Sequence, residues 1–312
     1  MSARTLFGTG AVGEVVAEIQ HALIKSGQPL KAVDRIYGQG TKNAVEQYQI
    51  AHHLSPTGVV DADTWQSLMQ RPVPAVGERS LQLTAAFEGH GFGLAVGNFD
   101  GALLTWGIVG FTVASGEVKS IVDAVNRAHP ELLDQAFGAN KVELLQFLQD
   151  APDAKKQWAT SHSLKNGLLA EPWRSMFAVF GGFEVVQAEQ IKHVMENYLA
   201  PAIKSARRLG LSSELGLALM FDIQVQNGGL KPAAVKAVLQ QVQSGLAEIE
   251  VRKLIANASA DSARVAWRED VRQRKLTIAT GQGTVHGHPF LLENWALSGD
   301  FVAEELAPAK AA

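Results

Sequence analysis

The chain has no cysteine, so neither disulfides nor thiolate metal ligands hold it together, and a thiol nucleophile is excluded. An excess of one charge is also lacking. With 28 Lys and Arg against 31 Asp and Glu, no global field draws nucleic acid or an anionic membrane, and any polyanion contact has to be local. No apolar run approaches the roughly 20 residues that span a bilayer. The N-terminus, Met1-Ser2-Ala3-Arg4-Thr5-Leu6-Phe7-Gly8, lacks the apolar core of an export signal, so synthesis in the cytoplasm and no integral membrane segment are expected. No repeat is visible, and the one biased tract is the Ala-rich end from Ala307 to Ala312.

What is present suits a folded, mostly helical protein. Apolar residues make up 46% of the chain, enough for a substantial core, and 312 residues suggest two domains. Between Gly13 and Gln70, Val15, Val16, Ile19, Leu23 and Ile24 recur at helical spacing and stop near Gly27. Tyr37-Gly38-Gln39-Gly40 leads to Thr41 as an expected N-cap for a second helix with Ala44, Val45 and Tyr48 on one face. Asp63 or Thr64 is expected to open a third helix carrying Trp65 and Leu68. Packing explains most of these residues: the glycines make turns, and Val45, Tyr48, Trp65 and Leu68 make a core.

The same stretch resembles the peptidoglycan-binding type 1 module. The matching residues are Ile19-Gln20, Leu23, Gly27, Asp34-Arg35-Ile36-Tyr37-Gly38, Thr41, Ala44-Val45, Tyr48-Gln49, Leu54, Gly58-Val59-Val60-Asp61 and Thr64-Trp65-Leu68, with Arg35 where the family usually has glycine. The resemblance implies binding to the glycan or peptide stems of bacterial wall, with Asp34, Tyr37 and Gln49 as candidate surface residues. Residues 1–70 are thus expected to form a wall-binding domain. Two prolines and a glycine in 71–79 mark a short, stiff linker. A larger domain over 80–306 and a tail at 307–312 follow. In the larger domain helical patterns dominate, at 118–129 and at about 140–149, 184–199, 201–209, 213–226, 232–243, 246–257 and 261–275. Only 98–113 reads as extended, with β-branched and aromatic residues between glycines.

Two carboxylates stand out in that domain. Glu88 ends the apolar run Leu83-Thr84-Ala85-Ala86-Phe87, and Asp100 sits in Asn98-Phe99-Asp100-Gly101. Glycosidic cleavage needs one carboxyl group to protonate the leaving oxygen and another to activate water or attack the anomeric carbon. An apolar setting favours the protonated form that an acid needs, and a Gly-flanked turn keeps a base solvated. The intervening glycines let the chain double back, and both the inverting separation of roughly 6.5–9.5 Å and the retaining one of about 5–5.5 Å remain open. On spacing alone, Glu88 ending a helix and Asp100 making an Asx turn with Gly101 account for the same residues.

Asp100-Gly101-Ala102-Leu103-Leu104-Thr105-Trp106-Gly107-Ile108-Val109-Gly110-Phe111 is similar to the Asp-Gly-x-x-x-Thr-x-Gly-Ile-x-Gly-Phe signature of family 46 chitosanases, part of the lysozyme-like superfamily. The resemblance implies Glu88 as general acid, Asp100 as general base, Thr105 as the hydroxyl that places the attacking water, and Glu117 as a substrate-cleft residue. Glu117 equally suits a helix first turn, where the dipole favours negative charge. The resemblance also suggests a buried ion pair between Asp222 and one of Arg268, Arg272 or Arg274. A shortened Glu-to-Asp interval, and Ala102-Leu103 where Arg-Gly often follows the Asp-Gly, are departures that bear on chitosan as substrate.

Other motifs carry less chemistry. His286-Gly287-His288 falls short of a zinc set and suits a turn or surface, and Trp106, Trp158, Trp173, Trp267 and Trp295 default to core positions.

The reading is a mainly α protein with a small three-helix wall-binding domain followed by a lysozyme-like α+β domain with a short β element. Its expected activity is muramidase-type cleavage of the peptidoglycan glycan backbone after N-acetylmuramic acid, as in an endolysin. A chitosanase-type glycosidase and an inactive wall-binding phage structural protein are the alternatives. The expected partner is cell-wall peptidoglycan and not nucleic acid. No metal or organic cofactor is expected, the chain is taken as a monomer, and delivery to the wall is by holin-type release or secretion.

Overall fold

The computed structural model describes residues 4–89, 91–98, 101–242 and 245–307. It comprises two compact units, Met1–Phe87 with Asn197–Ala312, and Glu88–Glu196. Helices dominate both, with small antiparallel sheets of three strands and two strands.

The first unit opens with α1 (Glu14–Lys25), α2 (Gln39–Ala51) and α3 (Ala62–Met69). Phe7 bridges to Val60 and packs on Trp65 with ring centroids 5.4 Å apart, closing the three helices around one small core. The expected cap at Thr41 is corrected. Gly38 stands at the N-cap of α2, and Thr41 is buried inside the first turn, where its hydroxyl accepts from Gln20 Nε2 at 3.0 Å and donates to the Ile36 carbonyl at 3.2 Å. α3 is capped by Asp61, whose carboxylate accepts from the Thr64 N–H at 2.8 Å.

α4 (Val76–Glu88) begins inside the stretch read as a linker, so 76–79 is helical, and it ends at the start of the second unit. The second unit holds β1 (Ala95–Val96), β2 (Thr105–Trp106) and β3 (Phe111–Thr112), paired in that order. Around them lie α5 (Glu117–Ala128), α6 (Pro130–Phe137), α7 (Lys141–Gln149), α8 (Pro152–Ser161), α9 (Trp173–Gly182) and α10 (Glu184–Val194). Its core is aromatic: buried Trp106 lies 5.6 Å from Phe177 and 5.4 Å from Phe180, and Phe137 meets Phe177 edge-on at 5.2 Å.

The chain returns to the first unit with α11 (Ala200–Arg208), α12 (Glu214–Asn227), α13 (Pro232–Gln241), α14 (Glu248–Asp261) and α15 (Arg268–Thr280), then the hairpin β4 (Gln282–Val285) and β5 (His288–Leu291). Every residue of α12 from Glu214 to Ile223 is buried, which makes it the central helix of the unit. The hairpin corrects the expectation that only 98–113 is extended. His286 sits in its turn, 3.0 Å from Asp270.

Buried Glu214 joins the N-terminal module to the rest of its unit. It accepts from Arg4 Nη1 and Arg79 Nη2, each at 3.0 Å, and from the Ser298 N–H at 3.1 Å, while both guanidinium groups also donate to the Ala296 carbonyl. Asn294 donates to the Thr9 carbonyl at 2.8 Å, and Glu305 accepts from the Gly77 N–H at 2.9 Å. Among the described residues no helix is long and apolar enough to cross a membrane.

Candidate active site

Glu88 is the last residue of α4, half-buried, and Gly89 follows with φ 65, a left-handed conformation that ends the helix. The turn before it is held from inside the first unit. Phe87 meets Phe290 edge-on at 4.7 Å and lies beneath the Arg274 guanidinium at 5.1 Å. Thr84 donates to Asp222 Oδ1 at 3.0 Å. Asp222 is fully buried and also receives Arg274, with Nη2 at 2.6 Å and Nε at 3.0 Å, together with Lys275. Burial alone raises a carboxyl's pKa, but here the two cations outweigh it and hold Asp222 well below the usual carboxylate range. Of the three candidate arginines, Arg274 makes the buried pair, while Arg272 bonds Asp261 at 2.7 Å.

Thr105 sits half-buried on the middle strand, with Val96 opposite it on β1 and Thr112 opposite it on β3. The turn from β2 to β3 is fixed by Gln190 of α10, which is buried. Its Oε1 accepts from the Ile108 N–H at 3.0 Å and its Nε2 donates to the Phe92 carbonyl at 3.0 Å. Gly107 has φ 89, and a side chain there would run into Gln190 and Phe111, so only glycine fits.

Asp100 lies outside the described residues, but its neighbours are well placed. Asn98 Oδ1 accepts from the N–H groups of Gly101 at 3.1 Å and Leu103 at 3.3 Å, and the Asx turn expected at Asp100 lies outside the described residues. The Asn98 N–H in turn donates to Ser163 Oγ at 2.7 Å. Glu117 occupies the first turn of α5 after Gly116, as the helix dipole favours. A hydroxyl chain ties it to the sheet: Thr112 donates to Ser115 Oγ at 2.8 Å, and Ser115 donates to Glu117 Oε2 at 2.7 Å. His193 Nε2 approaches the other carboxylate oxygen at 3.7 Å and packs edge-on against Phe111.

The second unit therefore carries Glu88, Thr105 and Glu117, and the wall-binding candidates lie in the first. Two of those are corrected. Tyr37 is fully buried and donates to the Gly58 carbonyl at 3.1 Å, and burial raises its phenol pKa. Gln49 is fully buried and donates to the Val59 carbonyl at 2.8 Å and to Thr64 Oγ1 at 2.9 Å, while accepting from the Gly58 N–H at 2.9 Å. Both side chains are spent on the module's interior and present nothing to a ligand. Asp34 is exposed, and hydrogen bonds from Gln20 and the Ile36 N–H hold its carboxylate below the usual range.

Trp106, Trp173 and Trp295 are buried, whereas Trp267 is 62% exposed. Sequence reasoning missed Gln190, Ser163 and Lys275. Gln190 left a readable signal, a glutamine on the buried stripe Val186, Gln190, Val194 of α10.

Residues 12–68 match the family model described as a putative peptidoglycan binding domain, and residues 89–253 match that of glycosyl hydrolase family 46. The chain belongs to glycosyl hydrolase family 46. The chain is also 27% identical over 214 residues to a chitosanase of Bacillus subtilis (strain 168), covering 62% of this chain and 72% of that protein. Among solved structures, a family 46 chitosanase of Gynuella sunshinyii in complex with chitotetraose matches with a TM-score of 0.51 at 20% identity, over 70% of this chain and 98% of that one. The mainly α fold of family 46 is thereby shown, and membership of that family makes the protein a glycoside hydrolase that carries an N-terminal putative peptidoglycan binding domain.

Proposed function

We propose that this family 46 hydrolase cuts the glycan backbone of bacterial peptidoglycan after N-acetylmuramic acid. The observation that carries this reading is the presence, in one chain, of a family 46 catalytic region and a wall-binding module. The anchor raises the local concentration of the catalytic residues at an insoluble polymer. In the proposed reaction the Glu88 carboxyl gives its proton to the leaving glycosidic oxygen as the bond to the anomeric carbon breaks. A water oriented by the Thr105 hydroxyl forms the new bond at that carbon and gives its proton to the Asp100 carboxylate. Access to the wall by holin-type release or a secretion machine belongs to the same proposal.

A second reading, cleavage of chitosan, is favoured by Glu117. A carboxylate held by Ser115 at 2.7 Å suits the ammonium group of a de-acetylated sugar, and the relative from Bacillus subtilis is a chitosanase. Mass spectrometry of soluble products from purified peptidoglycan and from chitosan separates the two. Muropeptides ending in reducing N-acetylmuramic acid support the wall reading, glucosamine oligomers alone support the second, and products from neither polymer defeat both.

A further inference from the structure

Glu117 is approached from two sides. Ser115, just before it in the chain, donates to Oε2 at 2.7 Å, and His193 at the end of α10 faces Oε1 with its Nε2 at 3.7 Å. The His193 and Glu117 side chains are only 15% and 19% exposed, so solvent ions screen their interaction weakly. The imidazole is seated by packing and not by the carboxylate. Its ring meets Phe111 of β3 edge-on with centroids 5.4 Å apart, and one turn earlier on α10 Gln190 holds the turn from β2 to β3. The lysines beside the pair on the two helices are engaged with other carboxylates, Lys119 with Asp123 on α5 and Lys192 with Glu189 on α10. Glu196 stands one turn after His193 along the chain. Two ionisable groups this close act on each other directly: a cationic imidazole offsets the charge that Glu117 presents to a cationic ligand, and a neutral imidazole leaves it intact.

We propose, resting on the second reading above, that His193 is a specificity-determining residue that acts through Glu117 and not on the sugar itself. Its charge sets how strongly the Glu117 carboxylate takes the 2-ammonium group of a glucosamine unit. Ser115 fixes one carboxylate oxygen, and His193 governs the charge felt at the other. An N-acetylated unit carries no charge at that nitrogen, so its binding is indifferent to the charge at position 193.

The test uses the full chain carrying Glu88→Gln, so that no substrate is consumed. Calorimetry follows the binding of a glucosamine tetramer and an N-acetylglucosamine tetramer at one mildly acidic pH that keeps the sugar amine protonated. Adding His193→Lys places a permanent cation beside Glu117 and is expected to weaken the glucosamine tetramer about fivefold or more, with the acetylated tetramer within about twofold. Adding His193→Gln removes the charge and is expected to leave the glucosamine tetramer bound at least as tightly. Equal losses for both tetramers give His193 a structural role only and overturn the proposal, as does glucosamine binding that His193→Lys leaves unchanged. Glu117→Gln in the same background locates a failure. Glucosamine binding that survives Glu117→Gln defeats the assignment of Glu117 to the amine and the proposal with it, whereas a loss there combined with none in His193→Lys defeats the proposal alone.

Discussion

Asp222, which accepts from Thr84 on α4, carries a heavy electrostatic load. One buried carboxylate faces two buried cations, Arg274 and Lys275, and takes the Thr84 hydroxyl as well. Removing its charge takes a buried counter-charge from both cations, so Asp222→Asn is expected to cost about 3–5 kcal/mol of stability, read from urea midpoints at neutral pH. The pH dependence has a definite sign. A carboxyl whose folded pKa is depressed contributes stability above its unfolded pKa and loses that contribution as pH falls toward the folded value. The gap between wild type and Asp222→Asn therefore narrows below about pH 4 and is constant above it. A gap that stays constant through the acid range would show that the cations do not depend on Asp222. The ion pair was partly legible, because a family resemblance marked Asp222 and named Arg274 among three arginines. Lys275 was not, because a lysine in the polar-looking stretch Arg268–Thr280 gives no sign of burial until α12 is packed against it.

At the scale of elements, the small sheet depends on a side chain from a distant helix. Gln190 links the Phe92 carbonyl to the Ile108 N–H, and both lie in segments bordering the strand that carries Thr105. Gln190→Leu keeps the volume and leaves two buried backbone groups without partners, a loss of about 1–3 kcal/mol for each. Faster hydrogen exchange at residues 92–108, with slower turnover, is the expected outcome, and unchanged exchange would mean that the sheet holds without this brace. The elements that sequence reasoning found are those with a clean apolar stripe: α5 buries Val118, Ile121, Val122 and Val125 as its spacing predicts. Of those it missed, α8 buries only Ala159 of its ten residues, and α9, although it buries Trp173, Phe177 and Phe180 at helical spacing, ends in two glycines. The hairpin β4–β5 buries only Val285 and Phe290, a pattern too polar for alternation to mark it as extended. Tyr37 and Gln49 were misread for the converse reason, since polar atoms suggest a surface while their partners, Gly58, Val59 and Thr64, are the module's own interior.

Across the whole molecule, the wall module and the C-terminal helices share one compact unit and meet at Glu214. Glu214→Gln removes the charge that two arginines face, so the N-terminal module is expected to loosen while its own three-helix core persists. Limited proteolysis reports this as faster cleavage within 71–79, and unchanged cleavage would place the hold elsewhere, in the Asn294 and Glu305 contacts. Deleting 1–70 is expected to abolish pelleting with purified wall.

In the proposed reaction Glu88 supplies the proton for glycosidic cleavage. It is tested most directly by the turnover of Glu88→Gln on whichever polymer the wild-type chain cleaves, with pelleting on the same polymer as a control for binding. A fall in kcat of about 10²–10⁴-fold with pelleting retained is expected. Turnover within a few-fold of wild type would contradict it, because no group at the end of α4 would then be giving the proton.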